Sequence, residues 1–138
     1  MKNEIFIRLS IFDADNRYLT NILKIQPTKN VQKGELITNK GIRVYEHNIW
    51  SYEITFMNLE NIETAFEKII KLFEHQKDKL ILLGKEYDIE ISISAYLKSG
   101  MPSIHLMQNS IGFIHAINAE IDIDIYNLPI SNVPVSEI

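Results

Sequence analysis

Several segments of the sequence alternate between apolar and polar residues, and this pattern constrains the fold more than any other feature. Residues 117–126 read INAEIDIDIY, and residues 4–12, 50–56 and 87–97 show the same period. Successive side chains of a strand point to opposite faces of a sheet, so each segment predicts a strand with one buried face. A sheet buried on both faces would instead contain continuous apolar runs. The alternation therefore predicts a sheet that is covered on one side.

Helical spacing of apolar residues predicts helices between these strands. Asp13 or Asp15 is placed to cap a first helix, and Asn58 or Asn61 to cap the longest one. The segment KDKLILLGK, residues 77–85, either continues the longest helix or forms a short second one, with Gly84 as its C-terminal stop.

Shorter segments predict the remaining connections. Asn109 or Ser110 is expected to cap a short helix, which Gly112 weakens by about 1 kcal/mol relative to alanine. Residues 103–107, SIHLM, follow the turn KSGMP and are expected to form the return strand of a hairpin. The polar stretch 27–47 predicts a loop and a mobile hairpin, with turns near its two glycines.

This order of elements predicts an α+β fold. We expect a two-layer sandwich, in which helices pack on one face of a mixed, mainly antiparallel sheet of about five to six strands. Residues 1–127 are expected to form a single domain. Residues 128–138, which include Pro129 and Pro134, are expected to form a loosely ordered tail.

Composition excludes some kinds of function and disfavours others. The 138-residue chain has no cysteine, which excludes disulfides and thiolate chemistry. Its formal net charge of −4 disfavours nucleic acid and anionic membranes as partners, but it suits a basic protein. The first residues do not resemble a secretory signal, and no apolar stretch is long enough to span a bilayer, so we expect a cytoplasmic protein.

The alternation also places a set of acidic residues on one side of the sheet. Glu120, Asp122 and Asp124 point opposite to their isoleucine neighbours, so they face water if the isoleucines face the helices. If every strand follows this rule, the same side carries Glu53, Asp88 and Glu90, with Arg8 as the counter-charge. A solvated strand face, a protein-binding face and a metal or catalytic site are the three interpretations.

The pattern favours the first two interpretations over chemistry. A straight strand does not wrap a cation, and the Asp-x-Asp-x-Asp-Gly calcium loop is absent from the sequence. The histidines lack the HExxH spacing, and the sequence contains no GxSxG, GxxxxGK[ST] or GxGxxG motif. We therefore expect no catalytic residues, no metal and no cofactor. Lys24, Lys29, Lys33, Lys40 and Arg43 are interpreted as part of a solvated hairpin.

The segment IQPTKNVQKGE, then Arg43, Trp50 and AEIDIDIY, resembles a bacterial family of domains of unknown function, DUF4279. The matching features are Pro27–Thr28, residues 33–35, Arg43, Trp50 and residues 122–126. The resemblance extends over nearly the whole chain, from the first strand through Tyr126. It implies a small stand-alone bacterial protein and carries over no catalytic residues. It also suggests immunity proteins of toxin systems as a setting.

These observations lead to an expected function. The leading interpretation is a non-enzymatic protein-binding module, an immunity-like inhibitor that binds a basic toxin through Glu90, Glu120, Asp122 and Asp124. One alternative is a self-associating structural protein, in which the open face or an edge strand forms a homodimer. The other is a small metal- or ligand-binding protein that uses the carboxylates.

Overall fold

The structure is a computed structural model that describes residues 3–38 and 41–127. The tail predicted at 128–138 lies outside the described residues. The elements in chain order are β1 Glu4–Phe12, α1 Asn16–Leu23, β2 Lys29–Val31, β3 Ile49–Met57, α2 Ile62–Phe73, a 3-10 turn Glu74–Gln76, α3 Lys77–Glu86, β4 Ile89–Leu97, α4 Gln108–Ala116 and β5 Ala119–Asn127.

The strands form one five-stranded sheet in the order β2-β3-β1-β4-β5. The central strand β1 is antiparallel to both β3 and β4, and β2 is antiparallel to β3. Among the described strands, β4 and β5, which α4 connects, form the one parallel pair. The prediction of an α+β fold with a mixed, mainly antiparallel sheet is therefore confirmed.

The core lies between one face of the sheet and the helices. The buried apolar side chains of β1 are Ile5, Ile7, Leu9 and Ile11, and those of β4 that share this core include Ile89, Ile91 and Ile93. Trp50 of β3 is fully buried and meets Phe73 of α2 edge to face at 6.2 Å. Its indole N–H donates to Thr20 Oγ1 at 3.0 Å, so the polar atom of this buried ring has a partner.

Side-chain caps begin two of the helices as the sequence predicts. Asp15 accepts hydrogen bonds from the backbone N–H groups of Arg17 and Tyr18, and Asn61 accepts one from Glu63. The predicted cap of α4 by Asn109 or Ser110 is wrong. Met107 precedes α4 and makes no side-chain cap, and Asn109 and Ser110 lie inside the helix. The Ser110 hydroxyl donates to Glu63 Oε1 at 2.6 Å.

Gly84 does not stop a helix, because α3 continues past it to Glu86. A Cβ atom at Gly84 would lie 2.0 Å from the carbonyl oxygen of Ile117, the residue directly after α4. Asn118 Nδ2 also donates to the Gly84 carbonyl at 2.9 Å. The glycine therefore allows α3 to pack against the backbone that leads into β5.

Two further expectations about strands differ from the structure. The return strand predicted at residues 103–107 does not form, because Ser103 makes an isolated bridge with Asn61 next to the start of α2. The strand β2 was not predicted, because its three residues are too few to show a period. Beyond β2, Leu36 and Val44 pair across the predicted hairpin.

Candidate partner-binding face

The sheet face opposite the helices carries the acidic residues that the sequence analysis selected. Glu90 and Glu120 are direct partners across β4 and β5, and in the same ladder Asp122 lies opposite Ser92 and Asp124 opposite Ser94. We call the set Glu90, Glu120, Asp122 and Asp124 the acidic face. Glu120, Asp122 and Asp124 are exposed, whereas Glu90 is partly buried.

The other predicted members lie around this group. Glu53 of β3 is the cross-strand partner of Arg8, so the strand β1 separates Glu53 from the acidic face. Asp88 is exposed and lies just before β4, where its carbonyl accepts a hydrogen bond from the backbone N–H of Phe12. The structure therefore brings four of the six predicted acids together on β4 and β5.

The pKa of Glu90 is raised above its ordinary value, and the nearby carboxylates contribute to this shift. Partial burial of the carboxyl group is the largest cause, followed by the negative charges of Asp122 and Glu120. Arg8 lowers the pKa, and Asp124 adds a small further increase. The repulsion from three carboxylates outweighs the attraction from the one arginine nearby.

Arg8 lies at the centre of the sheet and was not selected as a site residue from the sequence. Its Nη2 donates to the hydroxyl of Ser94 at 3.2 Å, and its Nε is buried with no hydrogen-bond partner among the described residues. Within residues 3–38 and 41–127, Arg8 makes no ion pair with a carboxylate. The guanidinium therefore leaves the negative charge of the acidic face largely uncompensated.

A shallow groove of about 200 Å³ runs across the middle of this sheet face. Its floor contains small hydroxyl side chains from three strands, namely Ser10, Ser51 and Ser92, all nearly buried. Ser10 and Ser51 bond to each other at 2.8 Å. Asp122 and Asp124 line the β5 side of the groove, and Lys29 lines the β2 side. The face is therefore polarised, with a cation at one edge and carboxylates at the other.

Lys29 belongs to the basic segment that was interpreted as solvated. Its Nζ lies 5.5 Å from the centroid of the Tyr45 ring, which is within the range of a cation–π interaction. Lys40 of the same segment lies outside the described residues.

Aromatic side chains border the acidic face at the far end of β4 and β5. Tyr96 and Tyr126 are cross-strand partners whose rings stack with centroids 5.0 Å apart. Phe6 meets Tyr96 edge to face at 5.8 Å. Tyr126 remains 46% exposed, so an aromatic surface lies beside Asp124. The sequence predicts no role for these rings, because their proximity arises only when β1, β4 and β5 pair.

The isoleucines of β5 correct one assumption of the sequence analysis. The alternation predicted that Ile121, Ile123 and Ile125 face the core, as the isoleucines of β4 do. Ile121 is 40% exposed and Ile125 is 36% exposed. Because β5 is an edge strand, the helices do not fully cover its apolar side.

The geometry gives little support for metal binding or acid–base chemistry. In the part of the chain that the structure describes, no group of three or more histidine, aspartate or glutamate side chains is arranged to hold a metal ion. The carboxylates lie along exposed strand positions with no enclosing loop, whereas calcium takes roughly six to eight oxygen ligands. The absence of a metal and of catalytic residues remains a prediction.

A second groove, between α2 and α4, contains a buried carboxylate that the sequence analysis missed. Glu63 is only 3% exposed, and the hydroxyl of Ser110 donates to its Oε1. Its Oε2 is buried and has no partner among the described residues. Position 63 is one residue past the start of a helix, where the helix dipole favours a negative charge. We interpret Glu63 as a structural link between α2 and α4.

The fold and this face define a small α+β protein whose sheet has one side packed on helices and one polar side with an acidic edge. The chain matches the family described as a domain of unknown function, DUF4279, over residues 3–128. It therefore belongs to the DUF4279 family, as its sequence motifs indicated. No curated protein and no solved structure matches the chain significantly. Among the described residues, no helix is long and apolar enough to cross a membrane.

Proposed function

We propose that this protein is a non-enzymatic binding module that recognises a basic protein partner through its acidic face. The observation that carries this proposal is the direct pairing of Glu90 with Glu120, next to Asp122 and Asp124, without a neutralising ion pair among the described residues. Like charges opposite each other on neighbouring strands destabilise a sheet. A cationic partner would remove that cost on binding.

The surroundings of the acidic face also suit a basic partner. The ring of Tyr126 offers an apolar surface beside Asp124, on which the aliphatic part of a lysine or arginine can pack. A concentrated negative potential accelerates encounter with a positive surface and orients the two proteins.

We further propose an inhibitory role in the bacterial cytoplasm, as the immunity protein of a toxin. The DUF4279 resemblance suggests this setting, and the charge of the face supports it. Toxins that act on nucleic acid need basic surfaces to bind phosphate. A row of carboxylates that covers such a surface would compete with the substrate for the same cations.

Comparative capture from the native lysate tests the proposal. The tagged wild-type chain is compared with a variant in which the acidic face is neutral, E90Q/E120Q/D122N/D124N. The matched control, E67Q/E74Q/D78N/E86Q, removes the same charge from exposed positions of the helical layer. We expect a basic partner on the wild type and on the control, and its loss from the neutral-face variant.

The purified partner then allows a quantitative measurement. Charge reversal by D122K/D124K is expected to slow association with the partner and to reduce the dependence of the association rate on salt. A partner that binds the neutral-face variant as rapidly and as tightly as the wild type would contradict the proposed binding face. An acidic partner, or none, would contradict the proposed function.

A further inference from the structure

Among the residues that the structure describes, the edge strand β5 pairs on one side only. Residues Ala119–Asn127 pair with β4 on one side, and no described strand pairs with the other. The free side of an edge strand presents backbone N–H and C=O groups that another strand can bind. Proteins commonly protect such edges by shortening the strand or by covering it with a helix or loop. A nine-residue edge is therefore a candidate binding element.

The side chains of β5 give this edge two chemically distinct flanks. Glu120, Asp122 and Asp124 lie on the open side of the sheet, together with Glu90. Ile121 and Ile125 lie on the helical side, where both are partly uncovered. A strand added to β5 would therefore meet carboxylates with one set of alternate side chains and isoleucines with the other.

A second copy of this chain is a poor occupant of the edge. In an antiparallel pair of β5 strands centred on Asp122, that residue meets its own copy and Glu120 meets Asp124. When the pair is centred on Ile123, Asp122 meets Asp124 instead. In either register carboxylates oppose carboxylates, which destabilises the pairing. The charge on β5 disfavours self-association and favours a cationic segment.

We propose that β5 accepts an extended segment of a basic partner protein as a sixth strand of the sheet. This inference rests on the proposed function and specifies how the partner is held. The segment alternates lysine or arginine with β-branched apolar residues. Its lysine or arginine side chains lie next to the acidic face, and its apolar side chains cover Ile121 and Ile125. Its backbone forms hydrogen bonds with the free N–H and C=O groups of β5. Strand addition of this kind derives affinity from the main chain and specificity from the alternate side chains.

Peptide binding to the full-length protein tests the proposal. The probe is a nine-residue peptide of alternating lysine and valine with blocked ends. Two control peptides carry N-methyl groups on one or the other set of alternate backbone amides, which keeps the charge and removes half of the donors. A third control has the same composition, with its lysines and valines in separate blocks.

We expect the alternating peptide to bind and to slow amide hydrogen exchange in β5. N-methylation of the set that faces β5 should weaken binding at least about tenfold, because several ladder hydrogen bonds are lost together. Methylation of the other set should have little effect. Neutralisation of Asp122 and Asp124 by D122N/D124N should weaken binding by about one-and-a-half- to fivefold for each carboxylate.

Several results would overturn the inference, and they are distinguishable from failure of the proposed function. If both methylated peptides and the block peptide bind as tightly as the probe, only charge is recognised, and the proposed function survives without strand addition. The same conclusion follows if a basic partner is captured but no peptide binds. Slow exchange, before any peptide is added, of the β5 amides that point away from β4 would show that the edge is already covered, by a second copy or by residues 128–138.

Discussion

At the scale of single residues, Glu90 shows how the acidic face affects stability. Its folded-state pKa lies above its ordinary value, so the folded protein binds this proton more tightly than the unfolded chain does. Its contribution to the free energy of unfolding therefore falls as pH rises from the ordinary pKa through the raised pKa. The destabilisation is fully present above the raised pKa and disappears below the ordinary one.

We predict that Glu90→Gln raises the melting temperature at neutral pH. The neutral amide avoids the cost of partly burying a charged carboxylate and removes the repulsion from Asp122 and Glu120. This gain should shrink as the pH falls and the wild-type carboxyl group takes up its proton. Thermal unfolding at several pH values measures the effect. Glu67→Gln, at an exposed position of α2, is the control. A gain of equal size at every pH would show that the negative charge of Glu90 is not its source.

Ser110 is the partner on which the buried carboxylate of Glu63 depends. We predict that Ser110→Ala lowers the free energy of unfolding by about 1–3 kcal/mol, because it leaves a buried acceptor without its donor. Denaturant titration checks this value. Ser99→Ala, at an exposed turn position, should change stability much less. Equal losses in the two variants would argue against the link between α2 and α4.

At the scale of elements, two glycines in helices should respond in opposite ways to the same change. Glycine to alanine normally stabilises a helix by about 0.5–1 kcal/mol. At Gly112 of α4, no described atom beyond the neighbouring residues and the local helix backbone lies within 4 Å of an added Cβ, so Gly112→Ala should show this gain. Gly84→Ala should instead cost about 1–3 kcal/mol, because its Cβ would overlap the Ile117 carbonyl. Chemical denaturation of both variants measures the contrast, and a stabilised Gly84→Ala would disprove the close packing of α3 on the start of β5.

The contrast between these glycines also shows how much of the fold was accessible from sequence. Long periodic segments such as β4 and α2 were predictable, because the spacing of their apolar residues indicates both the element and its buried side. The role of Gly84 was not, since its close neighbour Ile117 is distant in sequence. The predicted strand at residues 103–107 failed because a short alternating segment does not reveal whether a partner strand exists.

The candidate site was predictable to a similar extent. The acids of β5 were recognised because the sequence places them at alternate positions. Their meeting with Glu90 follows from the parallel register of β4 and β5, which no local pattern encodes. The Arg8–Ser94 contact and the Tyr96–Tyr126 stack depend on the same pairing of distant strands, so the sequence analysis missed both.

At the scale of the whole molecule, the negative charge is distributed unevenly over the sheet. The formal net charge is only −4, yet four carboxylates share the β4–β5 side of one face, whereas Lys29 lies at the β2 side. Such a distribution produces a directional field without a large net charge.

We predict that added sodium chloride stabilises the wild-type protein more than the variant with a neutral acidic face. Between about 0.01 M and about 1 M salt, the screening length falls from roughly 30 Å to roughly 3 Å, which removes most of the repulsion between exposed carboxylates. Melting temperatures over this range provide the measurement. The control E67Q/E74Q/D78N/E86Q should keep the wild-type response. If both variants respond alike, net charge and not the acidic face determines the effect.

The edge position of β5 has a consequence for how this protein can change over evolution. Its outward side chains contribute little to the core, so most substitutions at them should leave folding intact. Recognition would then be able to diverge quickly, with new charge patterns on β5 that match new partners, while β1, β3 and β4 preserve the scaffold. A strand that tolerates mutation in this way suits a protein whose target changes under competition.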